Sequence, residues 1–307
     1  MTYKFIPITI LAVIATTGKL DAQILQSVPK LMVNITIDQL RTDYLEAFSL
    51  LYGNGGFKKL LDNGVVYTNA SYPFSPIDRA SAIATISTGT TPYYNSIIGE
   101  KWLDKETLRP HNCVDDINYN GYLTDAKSSP ANILSSTLSD ELKVATSGKA
   151  IVYAIAPFRE AAIISAGHAA DGAIWIDDIN GQWCSSTYYF AQLPSWISAY
   201  QRIYANTFVE TEWKPINELS GNFSYFLSGG MQSPFNHKFK DDNRYIKFKT
   251  SGVVNERITD ISLQCLNSTG IGIDNITDLL NITYYAGCYD SKPVAECQME
   301  IQDTYVR

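Results

Sequence analysis

Apolar positions along the chain change their period from segment to segment. Leu31-Met32-Val33-Asn34-Ile35-Thr36-Ile37 is a β-rich run that gives out at Asp38, the pattern of a strand buried in a parallel sheet. Arg41 to Leu51 places Tyr44, Leu45, Phe48 and Leu51 on one face of a predicted helix, which Asn54-Gly55-Gly56 breaks. Phe57 to Leu61 predicts a second short helix ended by Asn63-Gly64, and Val65-Val66-Tyr67-Thr68 predicts a second strand. The stretch Phe74 to Trp102 is the one around which the rest of the chain is organised. A loop with Ser75 and Pro76 leads into an apolar helix, Ala80 to Thr88, which Gly89 stops before the Thr90-Thr91-Pro92 turn. Ser75 or Asp78 is placed to cap that helix. Asp278 to Tyr285 is a further apolar strand. Strand alternating with helix implies an α/β fold on a doubly wound, mainly parallel sheet.

The 307 residues, 45% apolar, suffice for one large domain or one domain with an insertion. A net charge of −7 without a basic run argues against a nucleic-acid partner. At the start, Lys4, the apolar run Phe5 to Thr17 and Leu20-Asp21-Ala22-Gln23 read as a secretory signal peptide over residues 1–23. As a membrane anchor that run is shorter than the roughly 20 residues a span needs. The expected product is exported, to the periplasm, the cell surface or the medium, with no membrane span in the mature chain. Five cysteines match no zinc spacing. Cys288 and Cys297 form the simplest pair, and burial as small apolar side chains is the alternative.

Two features carry candidate chemistry. Asp38 stands where its strand ends, the place where open α/β sheets bind ligands, and its carboxylate suits a metal ion or, equally, a loop or helix cap. The start of the Ala80–Thr88 helix suits an anion such as phosphate, or is a capped core helix. His111 and His237 sit in polar, loop-like sequence. The many aromatic residues from Ile174 to about Tyr245, among them Trp175, Trp183, Trp196 and Trp213, are either ordinary packing or a binding surface.

Several long motifs resemble the alkaline phosphatase superfamily. They are IDQLRTDYLEAF from Ile37, GNGGFKKLLDNGVVYTNA from Gly53, STGTTPYYNSIIGEKW from Ser87, SDELKVAT from Ser139, AGHAADGAIWIDDINGQWCSSTYY from Ala166 and EIQDTYVR from Glu300. The branch is that of exported, monomeric phosphatases with a Thr nucleophile, related to the nucleotide pyrophosphatases and type I phosphodiesterases. The resemblance runs from about Pro29 to the last residue. It implies a phosphate-ester substrate, two zinc ions, a Thr or Ser nucleophile at a helix N-terminus and a covalent phospho-enzyme. It also implies an inserted cap over about 174–245 within a domain spanning 24–307, and a structural role for His168 of the AGH motif.

Matched position by position, the resemblance departs at the site. Asp38 matches the first metal-binding Asp. The nucleophile position, nine residues before Thr88, holds Arg79, which stays protonated and cannot attack phosphorus. The phosphate-contacting Asn position holds Glu100. The Lys-x-Arg pair falls on Phe158 and Glu160, with Arg159 between them, and the later Asp and His ligand positions fall near Cys288 and Lys292. EIQDTYVR resembles a mid-domain helix start, so the domain is expected to be incomplete at its C-terminus. The expectation is a family scaffold with impaired chemistry, weak or absent zinc and an unspecified protein partner. The alternative is an active phosphatase with Ser75 or Ser81 as nucleophile.

Overall fold

The computed structural model describes residues 28–216 and 235–307. The expected signal segment and part of the expected cap lie outside the described residues.

In chain order the elements are β1 (Leu31–Asp38), α1 (Thr42–Ala47), α2 (Gly56–Asn63), α3 (Arg79–Thr88), α4 (Pro92–Asn95), β2 (Lys101–Leu103), β3 (Pro110–Asn112), β4 (Gly121–Tyr122) and α5 (Leu138–Ala145). They continue with β5 (Val152–Ile155), α6 (Arg159–Ala166), β6 (Gly172–Ile176), β7 (Trp183–Ser186), α7 (Ser195–Phe208), β8 (Glu212–Trp213) and β9 (His237–Lys238). The last are α8 (Arg244–Lys249), α9 (Val253–Thr269), β10 (Asp278–Tyr285) and α10 (Gln298–Val306).

Six strands form the central sheet in the order β1-β10-β5-β6-β7-β4. The first four run parallel, while β7 and β4 are antiparallel to their neighbours. Side-chain alternation along the central strands builds a core on each face. Ile155, Ile174 and Ile176 point to the layer that holds α7 and α9, with Tyr204, Phe208, Ile258 and Ile261. Ala154, Ala156, Ala173 and Trp175 point the other way, to Ala80, Ile83 and Ala84 of α3 and Ala161 to Ile164 of α6. The alanines on that face let α6 lie close to the sheet. Helices on both faces make this the doubly wound arrangement expected from the strand–helix rhythm.

Two local expectations are corrected, and one pair of alternatives is decided. Val65 to Thr68 forms no strand; Val65 and Tyr67 stand exposed, because no neighbouring strand among the described residues supplies the hydrogen bonds an extended run needs. The helix expected over Arg41–Leu51 divides into α1 and a 3-10 turn at Ser49–Leu51. Of the two readings of the cysteines, burial is the one seen: all five are free, and Cys113, Cys184, Cys265 and Cys297 are buried. Among the described residues β1 is one edge of the sheet, so Met32, Val33 and Ile35 of this apolar strand are 39–49% exposed.

The aromatic-rich region starts inside the sheet, since Ile174–Ile176 belongs to β6. Trp175, Trp183 and Trp213 are 0–1% exposed, and Tyr204, Phe208, Phe239 and Phe248 pack ring on ring. These rings fill the interior of the fold. No described helix is long and apolar enough to cross a membrane.

Candidate functional site

The site forms where β1, α3 and α6 meet. Eight parallel backbone pairings hold β1 on β10, from Leu31 opposite Asp278 to Asp38 opposite Tyr285. The Asp38 carbonyl then accepts the Ala286 N–H at 2.9 Å, which fixes the strand end that carries the carboxylate.

α3 begins at Arg79 because Asp78 caps it. One Asp78 oxygen accepts the Ser81 N–H at 2.9 Å, and the Ser81 hydroxyl reaches back to the Asp78 N–H, closing a capping box. The other Asp78 oxygen accepts the Glu100 N–H at 2.6 Å, so the same side chain ties down the loop before Trp102. At the far end Gly89 takes φ 67°, a left-handed position suited to glycine, and its N–H closes on Thr85. Of the two caps the sequence offered, Asp78 is used. Ser75 lies exposed in the preceding loop.

Four of the five site positions read from the sequence converge on the guanidinium of the fifth, Arg79. Arg79 Nε donates to Asp38 Oδ2 at 2.6 Å, and Arg79 Nη1 donates to Glu160 Oε1 at 2.7 Å. Glu100 Oε2 lies 3.9 Å from the same Nη1. The guanidinium carbon stands 3.4 Å over the Phe158 ring, a stacked cation–π contact. The Arg79, Asp38 and Glu160 side chains are 16%, 9% and 7% exposed, so the pairs sit largely out of water. Glu160 also lies in the first turn of α6, where the helix dipole favours an anion.

Burial is the largest influence on each partner, and it acts oppositely on their charges. It lifts the Asp38 carboxyl above its ordinary range against the pull of Arg79, with Glu160 and Asp78 adding repulsion. Burial also opposes the Arg79 charge, but Glu160 and Asp38 outweigh it and raise Arg79 further, so it remains a cation.

Arg159, the cation between Phe158 and Glu160, turns away. It pairs with Asp115 at 2.8 Å and donates to the Ser128 hydroxyl at 3.0 Å. Cys288 and Lys292 lie in the connection after β10, where the Cys288 carbonyl accepts from Tyr285 and the Lys292 ammonium faces the Tyr289 ring. His168 bonds Asp140 and the Ile133 carbonyl. His111 bonds Asn132, and His237 bonds Glu300 and stacks on Tyr289. Among the described residues no group of three His, Cys, Asp or Glu side chains comes together to hold a metal ion.

Sequence reasoning missed Lys249. Its side chain is buried beneath Phe158, with Nζ 4.8 Å from the ring, donating to the Ile176 carbonyl and to Asp178. Nothing in the RYIKFK segment distinguishes it from a solvated lysine. Only the sheet packing against α8 reveals that Phe158 has a cation near it besides Arg79.

Comparison with known proteins agrees with this architecture. A family model described as type I phosphodiesterase / nucleotide pyrophosphatase matches residues 32–242. The chain is 32% identical to alkaline phosphatase PhoV of Synechococcus elongatus, over 91% of this chain and 54% of that protein. It is 30% identical to alkaline phosphatase PafA of Elizabethkingia meningoseptica, over 97% of this chain and 58% of that one. A protein of Myroides odoratus named as a calcium-transporting ATPase is 28% identical over the whole of this chain and 59% of its own length. The crystal structure of wild-type PafA superposes with a TM-score of 0.78 at 26% identity, covering 91% of this chain and 57% of that one. The chain thus spans just over half the length of the relatives it matches. With the fold, the ordered motifs and the family match in agreement, this chain belongs to the type I phosphodiesterase / nucleotide pyrophosphatase family, within the alkaline phosphatase superfamily.

Proposed function

We propose that this chain is an exported member of its family in which phosphate-ester hydrolysis is impaired or lost, leaving a binding or scaffold protein. The observation that supports this reading is the Arg79 guanidinium held between Asp38 and Glu160. A permanently protonated guanidinium has no lone pair to offer phosphorus. It also engages the one carboxylate retained at a matched metal position. Loss of a nucleophile alone costs several orders of magnitude in rate. Glu100 adds a negative charge where a phosphoryl group would have to approach.

Zinc, which the resemblance implies, does not fit these residues. Asp38 Oδ2 already accepts from Arg79, whose positive charge would repel a dication, and an ammonium, Lys292, stands near a later matched ligand position. A metal-dependent step therefore has no place in this reading. The net charge of −7 disfavours a nucleic-acid partner.

The second reading is an active zinc-dependent phosphomonoesterase or phosphodiesterase working through a covalent phospho-enzyme. The 32% identity to a protein named alkaline phosphatase favours it. It needs a hydroxyl other than the substituted one, yet Ser81 is buried and engaged in the Asp78 cap. Assay of the purified full chain with added zinc and p-nitrophenyl phosphate separates the two readings. No turnover above background is expected. Turnover that disappears in Asp38→Ala would overturn the loss of chemistry.

A further inference from the structure

We propose that β1 is a self-association edge: two copies of this chain pair their β1 strands antiparallel about a twofold axis through Asn34, joining the two six-stranded sheets into one. Eight uninterrupted pairings to β10 satisfy one side of β1, and among the described residues no strand pairs with the other side. The opposite edge of the sheet, β4, is only two residues long, and shortness is one way in which a sheet blunts an edge. β1 lacks such protection. It is eight residues long, it carries no proline and no bulge, and between Lys30 and Asp38 it holds no charge.

The strand is self-complementary. The Lys30 and Asp38 carbonyls face β10, where they accept the Asp278 and Ala286 N–H groups at 2.9 Å each. Backbone direction alternates along a strand, so the N–H and C=O groups of Leu31, Val33, Ile35 and Ile37 point to the free edge. In the register centred on Asn34, Leu31 meets Ile37 of the second copy and Val33 meets Ile35, so outward groups face outward groups at every pair. This register sets the two most exposed residues of the strand, Val33 at 47% and Ile35 at 49%, against each other. It also places the flanking Lys30 opposite Asp38 at each end, one charge against its opposite, and Asn34 against its own counterpart. A second copy supplies this match by symmetry.

The flank of β1 adds area. Phe57 and Leu60 of α2 line, with Ile35, Ile37 and Leu40, a groove of about 510 Å³ beside the strand. No residue of α2 is buried, and Leu60 and Leu61 are 64% and 48% exposed. Together with Met32, Val33 and Ile35 they offer on the order of 400 Å² of apolar surface per copy. That is an interface at the low end of the range, so the dimer should form at micromolar concentration. Pairing of this kind is independent of whether the Arg79 site hydrolyses phosphate esters.

Sedimentation equilibrium of the full chain, from about 1 to about 200 μM, tests the pairing. The expected result is a monomer–dimer equilibrium that stops at two copies, because a twofold interface closes on itself. Val33→Lys puts an ammonium into the apolar pair on each side and should weaken association at least about tenfold. Its far-UV circular dichroism should match the wild type, since Val33 is half exposed. Cross-linking reads the register separately. Met32 faces Thr36 of the second copy in a pair without backbone hydrogen bonds, where side chains lie closest. A mixture of Met32→Cys and Thr36→Cys chains, oxidised with glutathione disulfide, should yield a peptide pair linked through the two introduced thiols, and neither variant alone should link those positions. A monomer mass at every concentration overturns the proposal, whether the edge stays bare or another part of the chain covers it. So does association that Val33→Lys leaves unchanged, growth beyond two copies, or equal linking of each cysteine variant with itself. Should Val33→Lys fail to fold, the mixed cross-link still decides.

Discussion

Two carboxylates, Asp140 and Asp38, lie beside the α3–α6 layer, and they are held in different ways. Asp140 is served mainly by groups on short tethers. It accepts the Thr137 N–H at 2.9 Å, the Thr137 hydroxyl at 2.9 Å, the His168 N–H at 2.7 Å and the Ala169 N–H at 2.8 Å, besides the His168 ring. Burial works against its charge, yet these bonds together hold it at about 2. Asp38 has Arg79 as its side-chain partner, burial prevails, and its carboxyl is raised. A carboxylate surrounded by backbone N–H groups is held by the fold itself. One that leans on a long side chain depends on a single residue. The first arrangement is fixed by the backbone; the second rests on where one arginine side chain is placed.

Substitutions can break that contrast, and the largest effect should come at Arg79. Arg79→Ala leaves Asp38 and Glu160 buried and uncompensated, and should cost about 3–5 kcal/mol in denaturant unfolding. A cost below about 1 kcal/mol would mean that the three groups do not act as a unit. Asp140→Ala strands several backbone donors and removes the helix cap reinforcement, and should cost about 2–3 kcal/mol by the same measurement. Replacing the whole ion set, as Arg79→Met with Asp38→Asn and Glu160→Gln, should return stability to within about 1–2 kcal/mol of the parent, because no unpaired charge is left behind.

The pH dependence sharpens the comparison further. Asp140, depressed to about 2, stabilises the fold above the ordinary carboxylate range, on the order of 2 kcal/mol, and this is lost as pH falls from about 4 through 2. His168 is raised, chiefly by its hydrogen bond to Asp140. Its contribution is complete below its ordinary value near 6.5 and fades as pH climbs through the raised one. Unfolding free energies measured across pH should show both limbs in the parent and neither in Asp140→Ala. The smallest effect belongs to the helix that carries Arg79: Gly89→Ala should cost about 1 kcal/mol, because Ala does not favour φ 67°.

Much of the scaffold was legible in the sequence. The β1 run, the Asp38 terminus, the α3 helix and its Gly89 stop can all be read from local pattern. Val65 to Thr68 shows where that logic fails: an extended apolar tetrad is a strand only if a neighbour pairs with it, and local sequence does not report neighbours. The site was legible only in part. Asp38, Arg79, Glu100, Phe158 and Glu160 could be named because a resemblance gave them a common register. That these side chains would bond one another, guanidinium to carboxylates and over a ring, depends on the packing of α6 against α3. The buried state of Lys249 is a further consequence of packing that no local signal announces.

The double duty of Asp78 has one more consequence. Its two oxygens pin the start of α3 and the Glu100 backbone to each other, so the acidic rim cannot swing aside without unwinding the helix tip. A hydroxyl in place of Arg79 alone would therefore set Asp38, Glu160 and Glu100 against one another without the guanidinium that now pairs them. The tie through Asp78 thus makes the charge balance at the helix tip a condition of the tip's own stability.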